Sequence, residues 1–219
     1  MDPLSVAFPP LWQWGAFVLL VPALGWALVT APWRRFDSSE LVHVWYGAIL
    51  STCLLWSIRA SVGETFSFHL LGVSLMSLLF GARLALLGVA AVVVVASALR
   101  DGLWANYALG VLVMGAVPVA ITMSVLRAAE RYLPPNLFVY FFVVAFFGSG
   151  LAMAGSGLVA SVALVLGAGQ PNALFDEYLP YLLYLAFGEA TVTGMLMTLI
   201  VVYRPSWVAT FDDARYLQR

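Results

Sequence analysis

The sequence predicts an all-α integral membrane protein of about seven transmembrane helices, N-terminus outside and C-terminus cytoplasmic. Three observations lead there. Residues of the set A, V, I, L, M, F, W, Y and C make up 63% of the 219 residues, charged residues only 10%, and mean hydropathy is +0.97, a balance foreign to soluble domains. The few charges avoid the apolar runs and fall between them, as expected where an unpaired charge in the bilayer centre is expensive. Most runs also have the length that matters, since about 20 helical residues cross a hydrocarbon core of about 30 Å.

Each element has its own justification. The opening MDPLSVAFPP has no basic stretch of the kind that precedes a cleaved signal, so the first run, 11–31, is read as a retained span that ends at Pro32. The second, 41–58, holds the single cysteine, Cys53, which rules out an internal disulfide and reads as a small packing residue. The third, 67–81, is short and reaches only about 22 Å as a helix, so it needs burial among neighbours. It meets the fourth, 83–99, at the tight joint FGAR (80–83). The fifth, 104–126, contains Pro118, which predicts a kink. The sixth, 137–166, follows Pro134 and Pro135 and is long for one upright span; its GSGLAMAGSG (148–157) lets another helix come close. The seventh, 181–203, lies between Pro171 and Pro180 on one side and Pro205 on the other. With no repeat or soluble linker, residues 1–219 read as one transmembrane domain.

Arginine sets the orientation. The chain has no lysine, and placing the N-terminus outside puts Arg34, Arg35, Arg83, Arg127, Arg131, Arg204, Arg215 and Arg219 inside, with only Arg59 and Arg100 outside. Merging the third and fourth runs would spoil that asymmetry. A net charge of −1 makes nucleic acid an unsuitable partner.

Ionisable residues within apolar runs are the functional candidates: His43, His69 and Glu189, with Asn106 as a neutral companion. His43 opens the second run on the cytoplasmic side and His69 the third on the external side, roughly 20 Å apart along the normal. They share neither an ion nor a haem. The third, fifth and seventh runs all start on the external face, so His69, Asn106 and Glu189 are expected to converge on an externally open pocket. Imidazole, amide and carboxylate suit a divalent transition metal such as nickel or cobalt. Glu189 lies roughly 12 Å down its helix, which makes it a supporting partner or a packing group, not a direct ligand. The plainer readings are a His69 that meets backbone or headgroups, an interfacial His43, and an Asn106 that caps or joins helices. Met76, seven after His69, and Met114, eight after Asn106, allow a thioether site for copper(I), although methionine is common as apolar filler. No nucleophile and base stand at a catalytic spacing and no Walker motif occurs, so the chain reads as a non-enzyme that does not hydrolyse ATP itself.

FHLLGVSLMSLLFG (68–81) resembles the HPTGTGLGAILFGP stretch of CbiM/NikM permeases, the substrate-binding components of energy-coupling-factor transporters for cobalt and nickel. His69 falls on the family histidine, Gly72 on a glycine, and Leu79-Phe80-Gly81 on LFG. WANYALGVLVMGAVP (104–118) is similar to the family's GANAFSMAVVGP at Ala105, Asn106, Ala108, Gly115 and Pro118, and GEATVTGMLMTLIVVYRP (188–205) to its last helix, with Glu189 on the glutamate. The resemblance implies a multi-pass protein of the bacterial inner membrane that takes a small cargo from outside. It holds no permanent cofactor and works with a transmembrane coupling subunit and cytoplasmic ATPases. His69 would be the metal ligand, with Asn106 and Glu189 supporting it. The family also uses its N-terminal amine and a histidine at position two, where this chain has Asp2. That departure keeps a second expectation open, a structural or assembly subunit of a larger membrane complex. The tail RPSWVATFDDARYLQR (204–219) would dock to a partner or lie along the interface.

Overall fold

The computed structural model describes residues 8–58, 60–62, 66–99, 104–168 and 179–216. Among the described residues the main helices in chain order are α1 (Pro10–Thr30), α2 (Ser39–Ser57), α3 (Val73–Phe80), α4 (Ala82–Ala98), α5 (Trp104–Tyr132), α6 (Val139–Gly167), α7 (Leu179–Tyr203) and α8 (Asp213–Tyr216). Among the described residues α1, α5, α6 and the Tyr181–Tyr203 part of α7 are long and apolar enough to cross a membrane, and α4 is a shorter apolar helix. Pro10 opens α1, where its missing N–H would have had no helical partner anyway.

The third apolar run departs from the expected helix over 67–81. Only Val73–Phe80 is helical. Upstream, β1 (Ala60–Val62) and β2 (Phe66–Phe68) pair antiparallel, with Ala60 opposite Phe68, so the described residues are not helical throughout. Residues 69–72 are neither strand nor helix. Gly72 sits at φ +67°, and the N–H groups of Leu71 and Gly72 go to a carboxylate from α7 in place of helical carbonyls. The apolar run was a signal of burial and not of helix. Gly81, at φ +81°, separates α3 from α4 and makes the expected tight joint.

Side-chain contacts define two ends of the bundle. At one, Gln13 of α1 reaches Asn106 of α5, and Phe8 and Trp12 lie against Gly167 at the end of α6. At the other, Arg83 of α4 donates to the carbonyl of Thr30 and lies over the Trp26 ring. All of α3 except Leu75 is buried, and it packs with α4, α5, α6 and α7. The small residues of 148–157 allow the close approach expected of them. Gly150 lies beside the carbonyl of Ala186 on α7, and Gly155 faces Ile121 of α5 with no room for a Cβ.

Two details prepare the site. In α5 a π turn spans Leu112–Ala116, just before Pro118, and the Val117 N–H donates five residues back to Leu112. Pro118 has no N–H to give, so the Val113 carbonyl lacks a helical donor; Ser156 of α6 supplies one at 2.7 Å. After α7 the chain turns back across the second end. There Ala209 N–H donates to Leu79 O and Thr210 Oγ1 to Leu78 O, both at 2.8 Å, closing the carbonyl end of α3. Thr210 also bonds the Tyr140 hydroxyl at 2.7 Å, and Tyr140 packs on Phe211 and Tyr216 at 5.1 and 5.2 Å.

Candidate metal-capture site

The segment His69–Gly72 is held by side chains from two other helices. Glu189, 2% exposed, accepts from Leu71 N–H through Oε2 and from Gly72 N–H through Oε1, each at 2.8 Å. A carboxylate that accepts two backbone donors just before α3 also meets the positive end of that helix. On the opposite side the Trp56 indole of α2 donates to the carbonyl of Leu71 at 3.0 Å. Gly72 needs its missing Cβ, since at a positive φ one would lie 3.3 Å from Leu55 Cδ2. These constraints fix four residues of irregular backbone deep in an apolar protein, where backbone polar groups must find partners.

His69 is buried, and its ring lies 4.8 Å from that of Trp56. Nδ1 bonds the carbonyl of Leu70 at 3.1 Å. A carbonyl only accepts, so Nδ1 is the donor in that bond. His69 lines a cavity of about 20 Å³ together with Val113, Met114, Met153 and Ser156, room for about one water molecule or one bare ion. The walls come from the loop before α3, the π turn of α5, Met153 to Ala160 of α6 and Leu185 of α7.

Of the three residues expected to converge, the structure brings two close together. His69 lines the cavity, and Glu189 stands behind it, gripping the backbone two and three residues on. Asn106 is fully buried at the first end of the bundle, its Oδ1 3.5 Å from Gln13 Nε2, but it is not among the residues lining the cavity. His43 is exposed, with Nδ1 2.6 Å from the Ser39 carbonyl. Met76 does not share a helix face with His69, because residues 69–72 are not helical; its sulfur accepts from Thr52 Oγ1 at 3.5 Å. Asp2 lies outside the described residues, as do Arg59, Arg100, Pro171 and Arg219. Among the described residues no three His, Cys, Asp or Glu side chains cluster to hold an ion. Sequence reasoning missed Trp56, Met153 and Ser156. The last two stood in a stretch valued for its glycines, and a serine in mid-span that needs a polar partner was the available signal.

Two comparisons with known proteins bear on this arrangement. A family model described as CbiM, cobalt uptake substrate-specific transmembrane region, matches residues 6–207. No curated protein matches the chain. The chain belongs to the CbiM family. It is a multi-pass membrane protein that sits in the lipid bilayer, and its family is a transport component.

Proposed function

We propose that this chain is the substrate-binding permease subunit of an energy-coupling-factor type transporter of the bacterial inner membrane, capturing a transition-metal ion from the external side. The ion is the cargo, and His69 is its protein ligand. The observation that carries the reading is the clamp on residues 69–72: a buried carboxylate and an indole fix the backbone beside an ion-sized cavity into which the histidine is built. Glu189 holds the ligand loop in place, and Asn106 supports the packing of the same end.

The accompanying topology is seven passes, α1 to α7, with the His69 end outside and the α3–tail junction inside. Arg34, Arg35, Arg83, Arg204 and Arg215 all lie near that inner end, as positive-inside bias requires. A coupling subunit and cytoplasmic ATPases then supply the energy for release. Purified protein should carry one equivalent of metal that His69→Ala removes, and a reporter fused after Arg219 should read out on the cytoplasmic side. Retention of the metal by His69→Ala overturns the reading.

A second reading is favoured by Asp2 and by the lack, among the described residues, of a cluster of three ionisable donors. It makes the chain an assembly subunit of a larger membrane complex. Co-purification with such a complex, without metal, would support it.

A further inference from the structure

We infer that the joint between α1 and α2 binds the headgroup of an anionic phospholipid, whose phosphate is held by Arg34, Arg35 and Arg83. The inference needs only that the chain sits in a bilayer, and it stands apart from the capture of an ion at His69.

The joint is a short piece of chain tied three times to its neighbours. After α1 one 3₁₀ turn, Trp33–Asp37, leads to α2. Arg83, in the first turn of α4, donates to the Thr30 carbonyl at the end of α1 at 2.6 Å. Arg35 reaches the Leu79 carbonyl in the last turn of α3 at 3.5 Å, and the Trp45 indole of α2 donates to the Leu84 carbonyl at 3.1 Å. Residues 30–35 are thereby fastened to residues 79–84, and the cations of both stretches share one edge of the molecule. A guanidinium carries five N–H donors in a planar fork. Arg35 and Arg83 each spend one on a carbonyl, which leaves most of each fork to meet a phosphate. The Arg34 side chain is exposed and makes no bond among the described residues.

These cations lack counter-charge. Arg204 and Arg215 each have a carboxylate, Glu40 at 3.9 Å and Glu130 at 3.5 Å. Among the described residues Arg34, Arg35 and Arg83 have none, and Asp37, the acid of the same turn, pairs with none of them. Arg35 is half-buried, and burial pulls its pKa below the ordinary arginine value with no anion to restore it. The surroundings select a lipid over a free anion. Trp26 and Trp33 are exposed beside the arginines, and the Arg83 guanidinium lies 5.1 Å over the Trp26 ring. The Trp33 indole is fixed by its bond to the Leu28 carbonyl at 2.8 Å, while the Leu28 and Val29 side chains are exposed just before the joint. Indoles beside an apolar helix face mark the level of the headgroups. A phospholipid there lays its acyl chains against α1 and its phosphate against the guanidinium groups, one ligand meeting both kinds of surface.

The test uses the full-length protein in detergent, titrated with phosphatidylglycerol or with phosphatidylcholine of the same acyl chains, while native mass spectrometry counts the lipids retained. One phosphatidylglycerol should bind about 100-fold tighter than phosphatidylcholine, about fivefold for each arginine, and should raise the thermal midpoint as any ligand of the folded state does. Arg34→Gln should weaken that binding about fivefold, and the triple variant with Arg35→Gln and Arg83→Gln should erase the preference. Arg34 has no bond to lose, so Arg34→Gln keeps the fold, and an unchanged midpoint without added lipid verifies it. Replacing Arg127 and Arg131 of α5 by glutamine should change nothing. Equal retention of the two lipids overturns the inference. So does an equal loss in the Arg127 and Arg131 variant, which means diffuse surface charge, and so does displacement of the lipid by inorganic phosphate at equal concentration, which means a site for a free anion. A dimer that Arg34→Gln dissolves, with no preference between the lipids, assigns the patch to a second copy and overturns it as well.

Discussion

The two ends of α3 pose the same problem and solve it differently. Any helix leaves its first N–H groups and last carbonyls without helical partners, and α3 is too short and too buried for water to help. At its N-terminal end the acceptor is a carboxylate that takes two N–H groups at 2.8 Å. At its C-terminal end the donors are the Thr210 hydroxyl, the Ala209 N–H and, at 3.5 Å, the cationic guanidinium of Arg35. An aromatic cluster of Tyr140, Phe211 and Tyr216 packs over them, whereas the N-terminal end leaves a cavity. The C-terminal end is built to stay shut. The N-terminal end spends a buried carboxylate on holding four residues in a shape that no regular element would give.

Substitutions can break that comparison, and the largest effect belongs to the N-terminal end of α3. Glu189→Ala leaves two buried N–H groups without acceptors at about 1–3 kcal/mol each, so the loss should be about 2–6 kcal/mol. Metal affinity at His69 should fall about 10–100-fold, as when any group that orients a ligand is lost. Calorimetry in detergent and a metal titration read the two quantities. Thr210→Val removes the donor to Leu78 O and the bond to Tyr140, and should cost about 1–3 kcal/mol while leaving metal affinity unchanged. Equal losses of affinity in these two variants would mean that the ends act as one unit. Gly72→Ala forces a side chain into a left-handed conformation and against Leu55. About 1–2 kcal/mol of strain should follow, with a faster metal off-rate measured by stopped flow. Smallest is Glu40→Gln, which loosens an exposed contact to Arg204 at 3.9 Å and a bond from the Trp207 indole. Its melting temperature should match the wild type within error, since exposed pairs contribute little.

Much of the fold was legible because lipid imposes a length and charge marks its edges. The runs 11–31, 41–58 and 83–99 lie within two residues of α1, α2 and α4. The fifth run stopped at 126, but α5 continues to Tyr132 because Arg127 and Arg131 end the hydropathy without ending the helix. The third run misled for the opposite reason. His69 to Gly72 are apolar enough for a helix, yet their conformation is set by Glu189, which is 117 residues beyond Gly72 in the chain. At the site, a lone carboxylate inside an apolar run singled out Glu189, whose bonds to the Leu71 and Gly72 N–H groups no local pattern announces. Met153 stayed hidden because nothing local separates a methionine that lines a cavity from one that fills a core.

One feature of α3 bears on how the molecule is made. Its eight residues are too few to enter the bilayer unaided, since a stable span takes about 20. The groups that close both of its ends, Glu189 and the Ala209–Thr210 turn, are also made only after α4, α5 and α6. Biogenesis therefore cannot finish vectorially: the third element waits, unseated, for the seventh, and a nascent chain cut short before Glu189 would present quality-control proteases with a hole at its centre.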